Sequence, residues 1–229
     1  MHLYLANKLY SSWSLRPWLL MTALGIPFDE TVIAMAFPDT RQKMLEVSPT
    51  GKMPCLHDGE VRVWESLAII DYVADNFPDK PVWPAEKAAR AHARAAAAEM
   101  HAGFTTLRGA CPMNLGKRFA PRDLGPDVAA DVARIEALWA EARGKFGRGG
   151  DFLYGNFCAA DAMYAPVVTR LDTYQIPVMP ETRAYMDAVL NHPAFVKWRA
   201  AGLAEPWTLP HYEQGWVPVQ VFHHPKDSV

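Results

Sequence analysis

The stretch Pro54-Cys55-Leu56-His57-Asp58-Gly59-Glu60-Val61-Arg62-Val63-Trp64-Glu65-Ser66 decides the fold. Two short apolar runs flank Asp58-Gly59-Glu60, and Asp-Gly between such runs signals a hairpin, because the tight turn needs residues that tolerate positive φ. From residue 65 the period changes. Leu67, Ile69, Ile70, Val73, Ala74 and Phe77 form a helical stripe that ends before Pro78. Outward toward the N-terminus, residues 39–47 read as helical and residues 28–34 alternate as a strand. Residues 14–24 form an amphipathic helix closed by Gly25, and residues 2–6 are a short apolar strand. The order is β-α-β-α-β-β-α.

After Pro84 the pattern reads as helix and loop, so the chain is expected to be α/β followed by all-α. Three prolines in residues 77–84 favour an extended connector. The expected division is residues 1–78, a linker at 79–84, and an all-helical part at 85–229. Residues 85–110, 126–146, 161–174 and 181–191 are expected helices, with Pro193 opening another, residues 111–125 a loop, and the tail from Glu205 an extended segment. The 229 residues carry a net charge of −2, with 50% hydrophobic, 21% charged and 11% aromatic residues, an ordinary globular balance. No Lys/Arg block offers a footprint for nucleic acid or an anionic bilayer. No apolar run reaches membrane-spanning length, so the chain is expected to be cytoplasmic. Cys55, Cys111 and Cys158 are too few and too scattered for a disulfide framework and read as buried thiols. His92 and His101 lie nine apart and His223-His224 sits in the polar tail, so no metal site is expected.

Three turns carry candidate chemistry. Tyr10-Ser11-Ser12-Trp13-Ser14-Leu15-Arg16-Pro17 crowds hydroxyls at a helix N-terminus, where free N–H groups and the helix dipole favour negative charge. A cap at Ser14 with Ser11 and Ser12 in the preceding loop is one reading; an anion site suited to a thiolate is the other. Lys52-Met53-Pro54 opens a strand, where a trans proline is ordinary and a cis bond would turn the backbone of Met53 toward an extended peptide ligand. Glu65-Ser66 starts a helix. Ser66 serves as an N-cap without any ligand, while Glu65 beside it can accept from an ammonium as Ser66 binds a carboxylate.

These turns, in this order, resemble the glutathione S-transferase superfamily, and the resemblance covers essentially the whole chain. The first half resembles its thioredoxin-like domain and the remainder its all-α domain. Tyr10-Ser11-Ser12-x-Ser14-x-Arg16 resembles the signature of the zeta and related serine-type classes. Lys52-Met53-Pro54 resembles the cis-proline segment, Glu65-Ser66-x-Ala68-Ile69 the motif holding the γ-glutamyl group, and Gly155 to Asp161 the buried capping box of the helical part. The resemblance implies glutathione as co-substrate and no metal. Ser11 or Ser12 would hydrogen-bond its sulfur, with the alignment favouring Ser11. Lys52, Met53, Pro54, Glu65, Ser66 and Arg16 would bind it, and Asp161 would be a folding residue. Trp13, His101, Phe104, Arg108 and Trp207 would line the second-substrate pocket, with Met113 nearby. A homodimer is implied as well. Trp13 stands where zeta members usually carry cysteine, which points away from their maleylacetoacetate isomerase activity, and Cys158 stands where the capping box has Ser or Thr.

A serine hydroxyl cannot act as a base at neutral pH, so it would work by hydrogen-bonding a thiolate whose ordinary thiol pKa is about 8.5. The expected activity is transfer of that thiolate to an apolar electrophilic small molecule in detoxification. Glutathione-dependent isomerisation or dehalogenation, with glutathione regenerated, is the alternative on the same fold. A non-catalytic binding module is a third reading that would not need all three motifs. Tyr10, beside Ser11, is the remaining hydroxyl that could face sulfur.

Overall fold

The computed structural model describes residues 1–223; His224 and the rest of the tail lie outside the described residues. Strands β1 (His2–Leu5), β2 (Asp29–Val32), β3 (Cys55–Asp58) and β4 (Val61–Trp64) form one sheet in the order β2-β1-β3-β4. β1 runs parallel to β2 with His2 opposite Asp29, and antiparallel to β3 with Leu3 opposite Leu56. The expected hairpin joins β3 to β4, with Cys55 opposite Trp64 and Gly59 at φ +58° in the turn. Helices α1 (Ser12–Ala23), α2 (Thr40–Val47) and α3 (Ser66–Asn76) complete the βαβαββα order.

Helix α1 is the pivot of the molecule. Leu15, Leu19, Leu20 and Met21 are fully buried, each such side chain stabilising by about 1.5–3 kcal/mol. That burial offsets Pro17, which sits inside the helix and removes one backbone bond at a cost of about 3 kcal/mol in a helix interior. The helix is buried on every side because it lies between α3 and two helices of the second half, α7 (Ala159–Thr173) and α9 (Pro193–Leu203). Trp18 meets Trp198 of α9 at 5.1 Å.

The second half adds α4 (Lys87–Ala102), α5 (Thr105–Ala110), α6 (Pro126–Phe146) and α8 (Pro180–Leu190) to α7 and α9. Two departures from the sequence reading affect the site. The helix expected over 85–110 breaks at Gly103 and Phe104, where Phe104 takes φ +55° and a Cβ on Gly103 would meet the carbonyl of Glu99 at 2.7 Å. Residues 111–125, expected as loop, contribute β5 (Lys117–Phe119), which pairs antiparallel with β6 (Pro218–Val221) from the tail. The second half is therefore helical with a small two-stranded ribbon.

The tail is tied to the first turn. The Glu205 carboxylate accepts from the N–H groups of Lys8 (2.6 Å) and Leu9 (3.3 Å). Glu213 accepts from Tyr10 Oη (2.8 Å), Asn114 Nδ2 (3.2 Å) and Lys117 Nζ (2.5 Å). At the start of α7, Asp161 accepts from the N–H groups of Cys158 (2.9 Å) and Leu153 (3.1 Å), which is the folding role expected of it. All three cysteines are free and buried.

Candidate functional site

The N-terminus of α1 is built one turn earlier than the sequence suggested. Ser11, not Ser14, is the N-cap: its Oγ accepts from Ser14 N–H (3.3 Å) and donates to Ser14 Oγ (2.9 Å), which in turn accepts from Ala6 N–H (3.0 Å). The cap moves because Ser14 is drawn inward to satisfy the Ala6 amide beyond the end of β1. Ser12 is thereby the first residue of the helix, nearly buried, and its Oγ has Arg170 Nη2 of α7 at 3.5 Å. The Tyr10 hydroxyl donates to Glu213, and burial together with that carboxylate pushes it far up, so it is committed to the tail.

Across a groove from α1, the Met53–Pro54 peptide is cis. Among the described residues the N–H and C=O of Met53 take no backbone hydrogen bond. Glu65 adopts φ +69° and is the N-cap of α3, displacing Ser66 from the expected capping role to the first helical position. A non-glycine residue held at positive φ is uncommon and clusters at binding sites. Ser66 is fully buried and its Oγ has no partner among the described residues. A cavity of about 140 Å³ lies between these turns, lined by Trp13, Thr50, Lys52, Met53, Pro54 and Glu65. A wider cleft of about 870 Å³, between residues 78–90 and 145–158, contains none of the candidate residues. The smaller one has the chemistry.

The second-substrate candidates divide. Trp13 meets His101 edge-on at 5.1 Å, with Arg16 Cζ 4.0 Å and Arg108 Cζ 4.8 Å from its ring. His101 Nε2 lies 3.8 Å from the Glu65 carboxylate, and burial, followed by the charge of Arg16, holds the imidazole below its ordinary 6.5. These residues come together. Phe104 does not line the groove; its left-handed backbone turns the ring into the core against Tyr164. Trp207 packs edge-on against Phe37, after β2, at 6.4 Å. Arg16 is fully buried in α1 and none of its three guanidinium nitrogens has a partner among the described residues. Sequence reasoning passed over Arg170, whose signal was a single arginine inside an otherwise apolar helical stretch.

Among the described residues no three His, Cys, Asp or Glu side chains are grouped as metal ligands, and no helix is long and apolar enough to cross a membrane. Chemically, the cavity presents the indole of Trp13 at the start of α1 on one side and, on the other, the unpaired backbone of Met53, the ammonium of Lys52 and the carboxylate of Glu65. That suits an extended, charged peptide-like ligand.

Residues 10–76 match the family described as "Glutathione S-transferase, N-terminal domain". A probable maleylacetoacetate isomerase of Caenorhabditis elegans is 26% identical over 201 residues, spanning 82% of this chain and 90% of the worm protein. A zeta-class glutathione S-transferase of Euphorbia esula is 23% identical over 183 residues, spanning 75% of this chain and 81% of the plant protein. Among solved structures, a glutathione transferase homologue from Burkholderia, with bound glutathione, superposes with a TM-score of 0.67 at 20% identity, covering 88% of this chain and 97% of that one.

Proposed function

The chain is a member of the glutathione S-transferase superfamily, resembling its zeta-like members, and from that premise we propose that it binds glutathione in the groove between α1 and α3 and presents the thiolate to a small electrophile with a largely apolar body. The observation that carries this reading is the hydroxyl of Ser12 at the N-terminus of α1, free of the capping duty that occupies Ser11. In this reading Ser12 donates to the sulfur and Ser11 positions the turn. The backbone of Met53 pairs with the cysteinyl part, Glu65 takes the γ-glutamyl ammonium, and Ser66 takes the carboxylate with its orphaned hydroxyl and helix N-terminal N–H. Lys52, exposed at the groove's edge, reaches the glycyl carboxylate.

The thiol proton leaves to water, the sulfur lone pair forms the bond to the electrophilic carbon, and the leaving group departs with its electron pair. Each unit by which the site lowers the thiol pKa is worth about 1.4 kcal/mol of preference for the thiolate. Isomerisation with glutathione regenerated is the second reading, favoured by the name of the nematode relative; consumption of glutathione with turnover separates the two. We also propose a cytoplasmic homodimer, with Val61 and Trp64 exposed on the edge strand β4 as part of its surface.

Calorimetric titration with glutathione and with its S-hexyl derivative tests the reading. Binding of both, tighter for the alkylated form, is the expected outcome. Failure of both to bind would remove the groove's proposed role and favour a non-catalytic scaffold.

A further inference from the structure

We propose that the wide cleft between the connector and the end of α6 is a second binding site, separate from the groove, for a nucleoside monophosphate, with its heteroaromatic ring against Trp83 and its phosphate between Arg148 and Lys80. The cleft, of about 870 Å³, is bounded by residues 78–90 on one side and 145–158 on the other, and none of the residues proposed to hold glutathione lines it. Its volume lies within the range of small-molecule sites. The phosphate end is built by the turn that follows α6. Gly147 is right-handed (φ −71°, ψ −21°) and Arg148 left-handed (φ +48°). Successive residues of those two hands aim their N–H groups into one concavity, which attracts anions. Among the described residues the N–H groups of Arg148 and Gly149 donate to no backbone carbonyl. An arginine at positive φ is uncommon, and here it stands between two glycines, either of which would take that conformation without strain. The turn is held in shape from behind, since a Cβ on Gly150 would meet the carbonyl oxygen of Gly155 at 2.4 Å.

The charged groups around the cleft divide into engaged and free. Arg90 donates to the carbonyls of Pro84 (3.2 Å) and Ala85 (2.7 Å), and Lys145 pairs with Glu141 (2.7 Å). Glu86 lies in the field of Arg148, but its two oxygens accept from the N–H groups of Ala88 (2.8 Å) and Ala89 (2.7 Å); Asp79 is the other carboxylate on that wall. Lys80 and Arg148, on opposite walls, are exposed and form no ion pair among the described residues. Two free cations match a phosphate monoester, which carries nearly two negative charges at neutral pH, whereas a carboxylate would answer one of them. The carbonyl end of α6 works against an anion, and Arg143 and Lys145 in its last turn offset it. At the ring end, Trp83 is 8% exposed and its Nε1–H has no acceptor among the described residues. Leaving a buried donor unpaired is costly, and an indole N–H can only donate. A ring with a nitrogen or carbonyl acceptor completes it, and a plain phenyl ring does not. Arg94 stands over the Trp83 ring at 5.6 Å, and Phe146 and Tyr154, stacked at 6.0 Å, add aromatic surface on the facing wall.

The test titrates adenosine 5′-monophosphate, adenosine, phenyl phosphate and inorganic phosphate calorimetrically into the intact protein. The expected result is binding of the nucleotide at least about tenfold tighter than any of the other three, unchanged by saturating S-hexyl glutathione. Arg148→Gly keeps the left-handed turn and removes the guanidinium, and it should weaken the nucleotide about tenfold, as should Lys80→Met. Trp83→Phe should bring the nucleotide down to the affinity of phenyl phosphate. Should that variant fail to fold, the preference of the wild type for the nucleotide over phenyl phosphate reports the same contact. Inorganic phosphate binding as tightly as the nucleotide would reduce the site to an anion contact and overturn the proposal. Displacement of the nucleotide by S-hexyl glutathione would put it in the groove and overturn the proposal as well. So would absence of nucleotide binding, or an affinity indifferent to both Arg148→Gly and Lys80→Met; none of these outcomes bears on the glutathione reading of the groove.

Discussion

At the residue scale the two adjacent serines are placed differently, Ser11 capping α1 and Ser12 lying inside its first turn. Ser12→Ala should lower turnover at neutral pH by about tenfold or more and raise the thiol pKa of bound glutathione, followed by thiolate absorbance, with little change in affinity. Ser11→Ala should instead cost about 1 kcal/mol of stability through the lost cap, read from denaturant unfolding. The reverse pattern would move the sulfur contact back to Ser11. Glu65→Gln should weaken glutathione about tenfold or more in calorimetry, because a charge-assisted bond to the ammonium is lost. Sequence reasoning named Glu65 and both serines as candidates from their place at turns and favoured Ser11 for the sulfur. It put the cap at Ser14, because the choice of cap depends on the Ala6 amide, a tertiary demand that no local pattern encodes.

At the element scale, short turns were readable and long-range pairing was not. The hairpin between β3 and β4 has its signal in three consecutive residues. The ribbon of β5 and β6 joins strands about a hundred positions apart, each too short to show a period, so it read as loop and tail. Likewise Arg108 meets Trp13 only because Phe104 breaks the helix, and Arg170 meets Ser12 only because α7 lies on α1. The start of α7 also makes a pH-dependent contribution. Burial raises Asp161 from 3.8 to about 6, against two backbone bonds that favour its carboxylate. The folded state therefore holds a proton between about pH 4 and 6 that the unfolded chain releases, so this residue's contribution to stability falls as pH rises through that window and is constant above it. Compared with Asp161→Asn, the wild type should gain about 1.4 kcal/mol on going from pH 7.5 to 5, measured by urea unfolding at each pH.

On the scale of the whole molecule, the candidate site is assembled from distant parts of the chain. α1 supplies the hydroxyl, the turns before β3 and α3 supply the groove, and α5 and α7 bring Arg108 and Arg170 beside them. The tail fixes the turn that carries Tyr10 to Ser12. Glu205→Ala leaves two buried N–H groups without their acceptor and should cost roughly 1–3 kcal/mol. It should also reduce glutathione affinity by loosening that turn, whereas Glu213→Ala, at the rim, should have the smaller effect on stability. Sedimentation across a concentration series checks the dimer, for which charged replacements at Val61 and Trp64 are expected to yield monomers.

The bond from Glu205 to the amides of Lys8 and Leu9 has a consequence for biosynthesis. A ribosome that has made β1 and α1 has not yet supplied the carboxylate that holds the segment between them. Residues 8 and 9 thus wait for almost two hundred further residues before their amides find an acceptor, and a nascent chain stalled before residue 205 should carry the turn between β1 and α1 still unset.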